Sequence, residues 1–314
     1  MCARSDQRGL TLTGRTASET EQATPVLSGG LGGDGTARRP RSAERPTVIS
    51  ASRGLPSLAL GEVWRARELL FFFVWRDVKV RYKQTALGVA WALVQPLVFL
   101  VLFTLLFSRG AGVAHGDVPY PVFAYSGLLT WQLFSGALGR AAGSTVANQY
   151  LLTRVYFPRL VVPLAASGTA LVDFTISSLL LVALLLVYDV GVSLTMLCVP
   201  LLALLALAAA VGFGLWLSAL NVRYRDVGQL VPLLLIVWLF ATPVAYSSTL
   251  VPERWQFVYE LNPMVGVTEG MRWALFGSSG ALEPVLVALV VTSAVLASGL
   301  VVYRWLERTF ADTI

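Results

Sequence analysis

The chain has 314 residues, 56% of them hydrophobic and only 13% charged, against about 25% charged in soluble domains. That balance excludes a pair of ordinary soluble domains and points to an all-α polytopic membrane protein. The net charge of +6 does not mark a nucleic-acid groove, because seven arginines precede Thr47 in a tail without aromatic residues. No basic surface interleaved with aromatics occurs elsewhere, so no nucleic-acid partner is expected.

Residues 1–57 are rich in Gly, Ser, Thr, Arg and Pro and carry too little apolar surface to fold. They read as a disordered cytoplasmic tail, or as the product of a start codon assigned too early. No apolar core of signal-peptide length follows the first arginines. Residues 58–85 come next. On a helical wheel Phe71, Val74, Trp75, Val78 and Tyr82 fall on one side, and Arg76, Asp77, Lys79, Arg81 and Lys83 mostly on the other. This predicts an amphipathic helix in the membrane interface. "DVKVRYK" also alternates as a strand does, but a lone strand at a membrane surface leaves its backbone unpaired, so helix is expected.

The rest, 86–314, holds six apolar spans at about 86–107, 121–139, 163–187, 194–219, 230–247 and 285–303. Thr85 to Phe107 is 23 residues without a charge, roughly 35 Å of helix, enough to cross a bilayer core of about 30 Å. Pro96 should kink this span, and Pro232 and Pro243 bracket the short fifth one. With both termini inside, cytoplasmic segments from Glu62 onward carry thirteen Lys and Arg, and outer segments three. That asymmetry predicts a multi-pass protein of the cytoplasmic (inner) membrane with N- and C-termini cytoplasmic. The fifth connection, 248–284, is apolar yet carries Glu260, Glu269 and Arg272. Short re-entrant helices on either side of Asn262-Pro263 are expected there, with Glu269 and Arg272 paired at i,i+3.

The missing chemistry is as informative. A phosphate-cradling loop of the form G-x-x-x-x-G-K-[ST] is absent, since Lys79 and Lys83 are the only lysines and neither follows a glycine. Cys2 and Cys198 cannot build a disulfide framework, His115 is the sole histidine, and no spacing suggests a metal. No Gly-x-Ser-x-Gly elbow occurs, and Glu253, Glu260 and Glu269 read as scattered solvated acids rather than a glycosidic pair. Asp173 is the one clear intramembrane acid. Ionised at a helix centre it costs about 2.5–3.5 kcal/mol, so it must find a partner, a wet cavity or a proton. It reads either as a substrate or proton site or as a structural bond to a neighbouring helix or to local Ser and Thr. Most of the nine tryptophans read as interface anchors. Trp91, Trp131 and Trp238, nearer span interiors, could face a conduit whose aromatic walls would suit sugar rings.

Four stretches, "RDVKVRYKQTALGVAWALVQPL", "GRAAGSTVANQYLLTRVYFPRLVVPL", "LSALNVRYRDVGQLVPLLL" and "PVAYSSTLVPERWQFVYELNPMVGVTEGMRWALFG", resemble ABC-2 type permeases. The nearest branch exports polysaccharides and polyol phosphates, including O-antigen, capsule and teichoic acid polymers. The resemblance covers about 62–308 and implies a homodimer of six-span subunits, with two copies of a separate ATP-binding subunit docked beneath. ATP and Mg would sit on that partner, and this chain would carry no cofactor. The substrate would be a polymer on an undecaprenyl-diphosphate-type lipid, met among membrane lipids. By the same resemblance the gate helix maps to about 62–84, and Arg76, Lys79, Arg81 and Lys83 would receive the lipid diphosphate. The coupling segment maps to Ser144–Arg154 and the following "RVYFPR", which brings in Asn148, Arg154, Tyr156, Phe157 and Arg159. The turn Asn221–Val227 adds Arg223 and Arg225, and Asn262, Pro263, Glu269 and Arg272 belong to the outer gate. The tail before Glu62 is longer than is usual in the family. Rival readings are an ABC-2 exporter of a drug or lipid, a proton-coupled transporter using Asp173, and a membrane glycosyltransferase.

Overall fold

The computed structural model of the protein describes residues 60–83, 88–107, 118–191, 193–277, 280–308 and 310. Residues 1–57, with Cys2, and Arg109 and His115 lie outside the described residues. In chain order the helices are α1 (Leu60–Arg65), α2 (Arg67–Lys83), α3 (Trp91–Phe107), α4 (Tyr120–Ala147) and α5 (Gln149–Arg154). They continue with α6 (Val161–Val187), α7 (Val199–Arg223), α8 (Val227–Phe240), α9 (Glu253–Glu260), α10 (Pro263–Phe276) and α11 (Leu282–Glu307). No strand occurs among the described residues. Three helices are long and apolar enough to cross a bilayer, at Val161–Val187, Leu194–Arg223 and Leu282–Glu307, and two shorter apolar ones run over Trp91–Leu106 and Val227–Phe240. With these spans the chain is a multi-pass membrane protein.

α4 is the centre. It packs on α6 on one side and α7 on the other, and α11 packs on the far side of α7. α10 wedges against α4, α7 and α11, while α3 and α8 lie over α4. Small residues permit these approaches, as is usual where lipid supplies no hydrophobic drive between helices. A Cβ at Gly299 of α11 would lie 2.5 Å from the Gly212 carbonyl oxygen of α7, and one at Gly266 of α10 would lie 2.0 Å from the Pro284 carbonyl oxygen of α11. A polar seam of Thr145, Ser218 and Tyr303 joins α4, α7 and α11, with hydroxyls 2.6 Å and 3.2 Å apart.

α1 and α2 form helix where helix was expected, joined through the Ala66 turn by the hydrogen bonds Ala66 N to Glu62 O and Leu70 N to Ala66 O. The two-sided pattern is only partly reproduced. Phe73, not Phe71 or Trp75, is the buried aromatic, and it shares an apolar cluster with Leu152, Val161, Val162 and Ala165. Val74 faces Gly168, and Tyr82 and Arg81 reach Asp173. α2 therefore follows the first half of α6, because small residues at Ala165 and Gly168 leave it a groove. Phe71 and Trp75 remain exposed.

α8 stops at Phe240, short of the expected 247, and residues 241–246 form turns. α4 and α5 divide at Asn148, so Ser144–Ala147 belong to the end of α4 rather than to a separate coupling helix. Gly266→Ala should cost about 1–3 kcal/mol, since the added methyl meets backbone. Gly143→Ala, with open space around it, should be neutral or slightly stabilising. Thermal unfolding in detergent compares the two.

Candidate functional site

Asp173, midway along α6, accepts from Arg81 Nη1 at 2.6 Å and from Arg140 Nη1 at 2.9 Å, both at Oδ2, and from the Tyr82 hydroxyl at Oδ1. Three helices thus meet at one carboxylate: α2 supplies Arg81 and Tyr82, α4 supplies Arg140, and α6 supplies the acid. Burial first, then the bond to Asp173, pushes the Tyr82 hydroxyl up to about 12, so it stays protonated and donating at neutral pH. Beside the cluster opens a cavity of about 500 Å³ whose wall includes Trp91, Gln95, Gln132 and Arg140. That size suits a small headgroup or sugar.

The four gate-helix cations do not act alike. Arg76 bonds Asp77 at 2.8 Å and Asn148 Oδ1 at 3.4 Å, and stacks over Phe73. Arg81 is held at Asp173. Lys79 and Lys83 are exposed and make no ion pair among the described residues. Of the three tryptophans considered for a conduit, Trp131 is buried in the core against Phe134. Trp238 packs edge-on between Phe134 and Phe213. Trp91 is exposed at the cavity.

The segment between α4 and α6 brings its own surface together. Arg154 stacks 4.1 Å over Tyr150, Val155 and Tyr156 are exposed, and Phe157 turns inward to meet Phe73 edge-on at 5.7 Å. Arg159 donates to the Glu307 carbonyl at 2.8 Å, and Arg304 bridges Glu307 and Glu62, each at 3.4 Å. In the second turn, Asn221 donates to Ala142 O and accepts from Gly228 N, which ties α4, α7 and α8 at one corner. Arg223 and Arg225 point outward from it.

The broken end of α8 is met by side chains. Arg272, 3% exposed, donates to the carbonyls of Pro243 (2.6 Å), Val244 (3.1 Å) and Tyr246 (3.4 Å), pairs with Glu269 at 3.1 Å, and lies 3.7 Å over the Phe123 ring. Asn262 caps α10 through Met264 N, accepts from Trp238 Nε1, and donates to Ala241 O and Thr242 Oγ1. Pro263 starts α10 at the position where its missing N–H costs nothing. Among the described residues no group of His, Cys, Asp or Glu is arranged to hold a metal.

The ABC-2 type transporter family model matches residues 68–276. The chain is 31% identical over 258 residues to an O-antigen export system permease protein of Myxococcus xanthus, covering 81% of this chain and 98% of that one. It is 27% identical over 251 residues to an O-antigen export system permease protein of Klebsiella pneumoniae, covering 79% and 95%. The polysialic acid transport protein KpsM of Escherichia coli matches at 24% over 203 residues, covering 64% and 78%.

Sequence reasoning missed Arg140, Tyr82 and Gln132 as members of a site. Arg140 was legible only as one cation near the end of a span, and its link to Asp173 is 33 residues long. The role of Arg272 exceeds the expected i,i+3 pair, because its guanidinium serves three carbonyls as well. Arg272→Met should strand Glu269 and those carbonyls and destabilise by about 3–5 kcal/mol. Arg272→Lys should restore little, since one ammonium cannot reproduce the planar fork. Unfolding of the detergent-solubilised variants, measured side by side, checks both.

Proposed function

The chain belongs to the ABC-2 type transporter family, and from that premise we propose that it is the transmembrane permease subunit of an ATP-driven exporter of lipid-linked polysaccharide or polyol phosphate polymer. The observation that carries this is the match to two O-antigen permeases across 95–98% of their own length. The active unit is a homodimer with two copies of an ABC ATP-binding subunit, which brings ATP and Mg. It works in the cytoplasmic membrane, with both termini on the cytoplasmic side.

In this reading 1–57 is a tail, 58–85 the gate-helix region and 86–314 the transmembrane domain. α3, α4, α6, α7, α8 and α11 are the six spans. α9 and α10 re-enter from outside, a reading supported by the burial of α10 against protein and by the side-chain capping of the broken backbone beside it. α3 and α8 expose apolar faces at Leu102, Leu105, Leu233 and Val237, suited to lipid or to the second protomer. The substrate's diphosphate meets the cations of α2, with Lys79 and Lys83 the ready donors and Arg76 and Arg81 nearby. Trp91 at the cavity offers a face to the first sugar. The ATPase docks on the surface of Tyr150, Arg154 and Tyr156, with Arg223 and Arg225 alongside. The Phe157–Phe73 contact carries its movement straight to the gate helix. Asp173 is engaged by two guanidiniums and a phenol, the partners of a structural carboxylate, so a proton-coupled cycle through it has no geometric support here.

Co-purification with the ATP-binding subunit and reconstitution with lipid-linked glycans tests the whole. Hydrolysis should need the partner and rise with the right glycan. Nucleotide turnover by the chain alone, or export driven by a pH gradient without ATP, would overturn the reading. Lys79→Gln with Lys83→Gln should cut export about tenfold, the loss of one or two charge-assisted bonds, while insertion is unchanged. Phe157→Ala should leave ATP hydrolysis running while export falls, measured on the same proteoliposomes.

A further inference from the structure

Asp173 sits among more positive charge than it can balance. Arg81 and Arg140 donate to the same oxygen, and Tyr82 takes the other. Two guanidiniums and one carboxylate sum to +1. The two arginines are not equivalent. Arg140 comes from α4 and its side chain is 22% exposed, whereas Arg81 comes from α2 and is 42% exposed. Arg140 and Asp173 alone form a neutral pair that keeps α4 on α6. Withdrawal of Arg81 therefore leaves no uncompensated carboxylate behind, the outcome that makes breaking a buried pair so costly. A pair as exposed as Arg81–Asp173 is also weak and readily exchanged.

Arg81, Tyr82, Trp91, Arg140 and Asp173 all line the cavity, and of its two guanidiniums Arg81 is the more exposed. A phosphate there offers Arg81 three acceptor oxygens and a bidentate geometry that Asp173, shared between two guanidiniums, does not. The middle of α2 is held separately, by Val74 against Gly168 of α6, Phe73 against Phe157 and Arg76 to Asn148, so the last turns of α2 depend on the contacts at Asp173.

We propose that Arg81 is an exchangeable cation: with Tyr82 it fastens the end of α2 to Asp173 while the cavity lacks an anion, and it transfers to the phosphate of an arriving headgroup, which leaves only the Tyr82 hydroxyl on Asp173 and so loosens the end of α2. Asp173 is then a built-in stand-in for the ligand's phosphate, and Arg140 is the positioning residue that keeps it neutralised after the exchange. No bond forms or breaks; one ion pair replaces another. The inference rests on the reading that α2 receives a lipid diphosphate and adds how that arrival releases the helix.

The two flanking charges give opposite predictions. Asp173→Asn removes the stand-in and raises the local charge to +2, so α2 is unfastened without ligand and diphosphate binds more tightly. Arg140→Gln leaves Asp173 to Arg81 alone, so α2 is held harder and the ligand binds more weakly, by about fivefold or more. General damage to the α4–α6 contact would move both variants the same way. Arg81→Gln, with Tyr82 alone left on Asp173, should be loosened without ligand and no longer respond.

The experiment places spin labels at Val80→Cys on α2 and Leu179→Cys on α6, both exposed. The full chain sits in nanodiscs, with Cys2 and Cys198 replaced by Ser. The separation is measured with undecaprenyl diphosphate in the disc, with inorganic diphosphate alone, and with phosphatidylglycerol alone. Wild type should lengthen with undecaprenyl diphosphate, Asp173→Asn should be long without it, and Arg140→Gln should need about fivefold more. A response to inorganic diphosphate as well assigns recognition to the phosphate itself, and a response to the lipid form only assigns it to the headgroup in the membrane; either supports the exchange. An unchanged separation in Asp173→Asn that still binds undecaprenyl diphosphate overturns the exchange and leaves the gate-helix reading intact. Absence of any such binding to wild type removes both.

Discussion

A polar group inside an apolar span has no water to turn to, and this constraint organises the protein. It is met twice by side chains that are far apart in sequence. At Asp173 a carboxylate halfway along α6 is answered by Arg140 from α4 and by Arg81 and Tyr82 from α2. At the end of α8 the carbonyls of residues 243, 244 and 246 are answered by Arg272, and that of Ala241 by Asn262. In each case the answer also fixes an element. The first holds the helix that precedes the spans, and the second holds the short helices of the fifth connection.

The remaining architecture makes these meetings possible. Small residues at Gly212, Gly266 and Gly299 bring α7, α10 and α11 to near backbone contact, which seats α10 deeply enough for Arg272 to reach the end of α8. On the other side of α4, Gly168 and Ala165 open a groove along α6 into which α2 settles with Phe73 and Val74. α2 is thereby tied at its middle to the segment between α4 and α6, by Phe73 on Phe157 and Arg76 on Asn148, and at its end to Asp173.

The chain belongs to a family of transporter membrane components, and its polar clusters serve to position helices. What α2 presents instead is a graded set of cations, from Arg76 and Arg81, already engaged, to Lys79 and Lys83, exposed.

The sequence by itself determined the class of the protein, the helical character of α2 against its strand-like alternation, the place of the apolar helices along the chain, and the Glu269–Arg272 pair. These are properties of composition, of local period and of neighbours three residues apart, so they need no knowledge of the fold. Only the tertiary structure decided that Phe73 rather than Phe71 or Trp75 is the buried ring of α2, that α8 ends at Phe240, and that Trp131 packs in the core. It alone joined Asp173 to Arg81, 92 residues away. The physical reason is common to all of these. Which side of a helix is buried, and which distant charge an acid meets, depends on the groove its neighbour offers, and that groove is shaped by glycines and alanines whose positions carry no pattern until the helices are brought together.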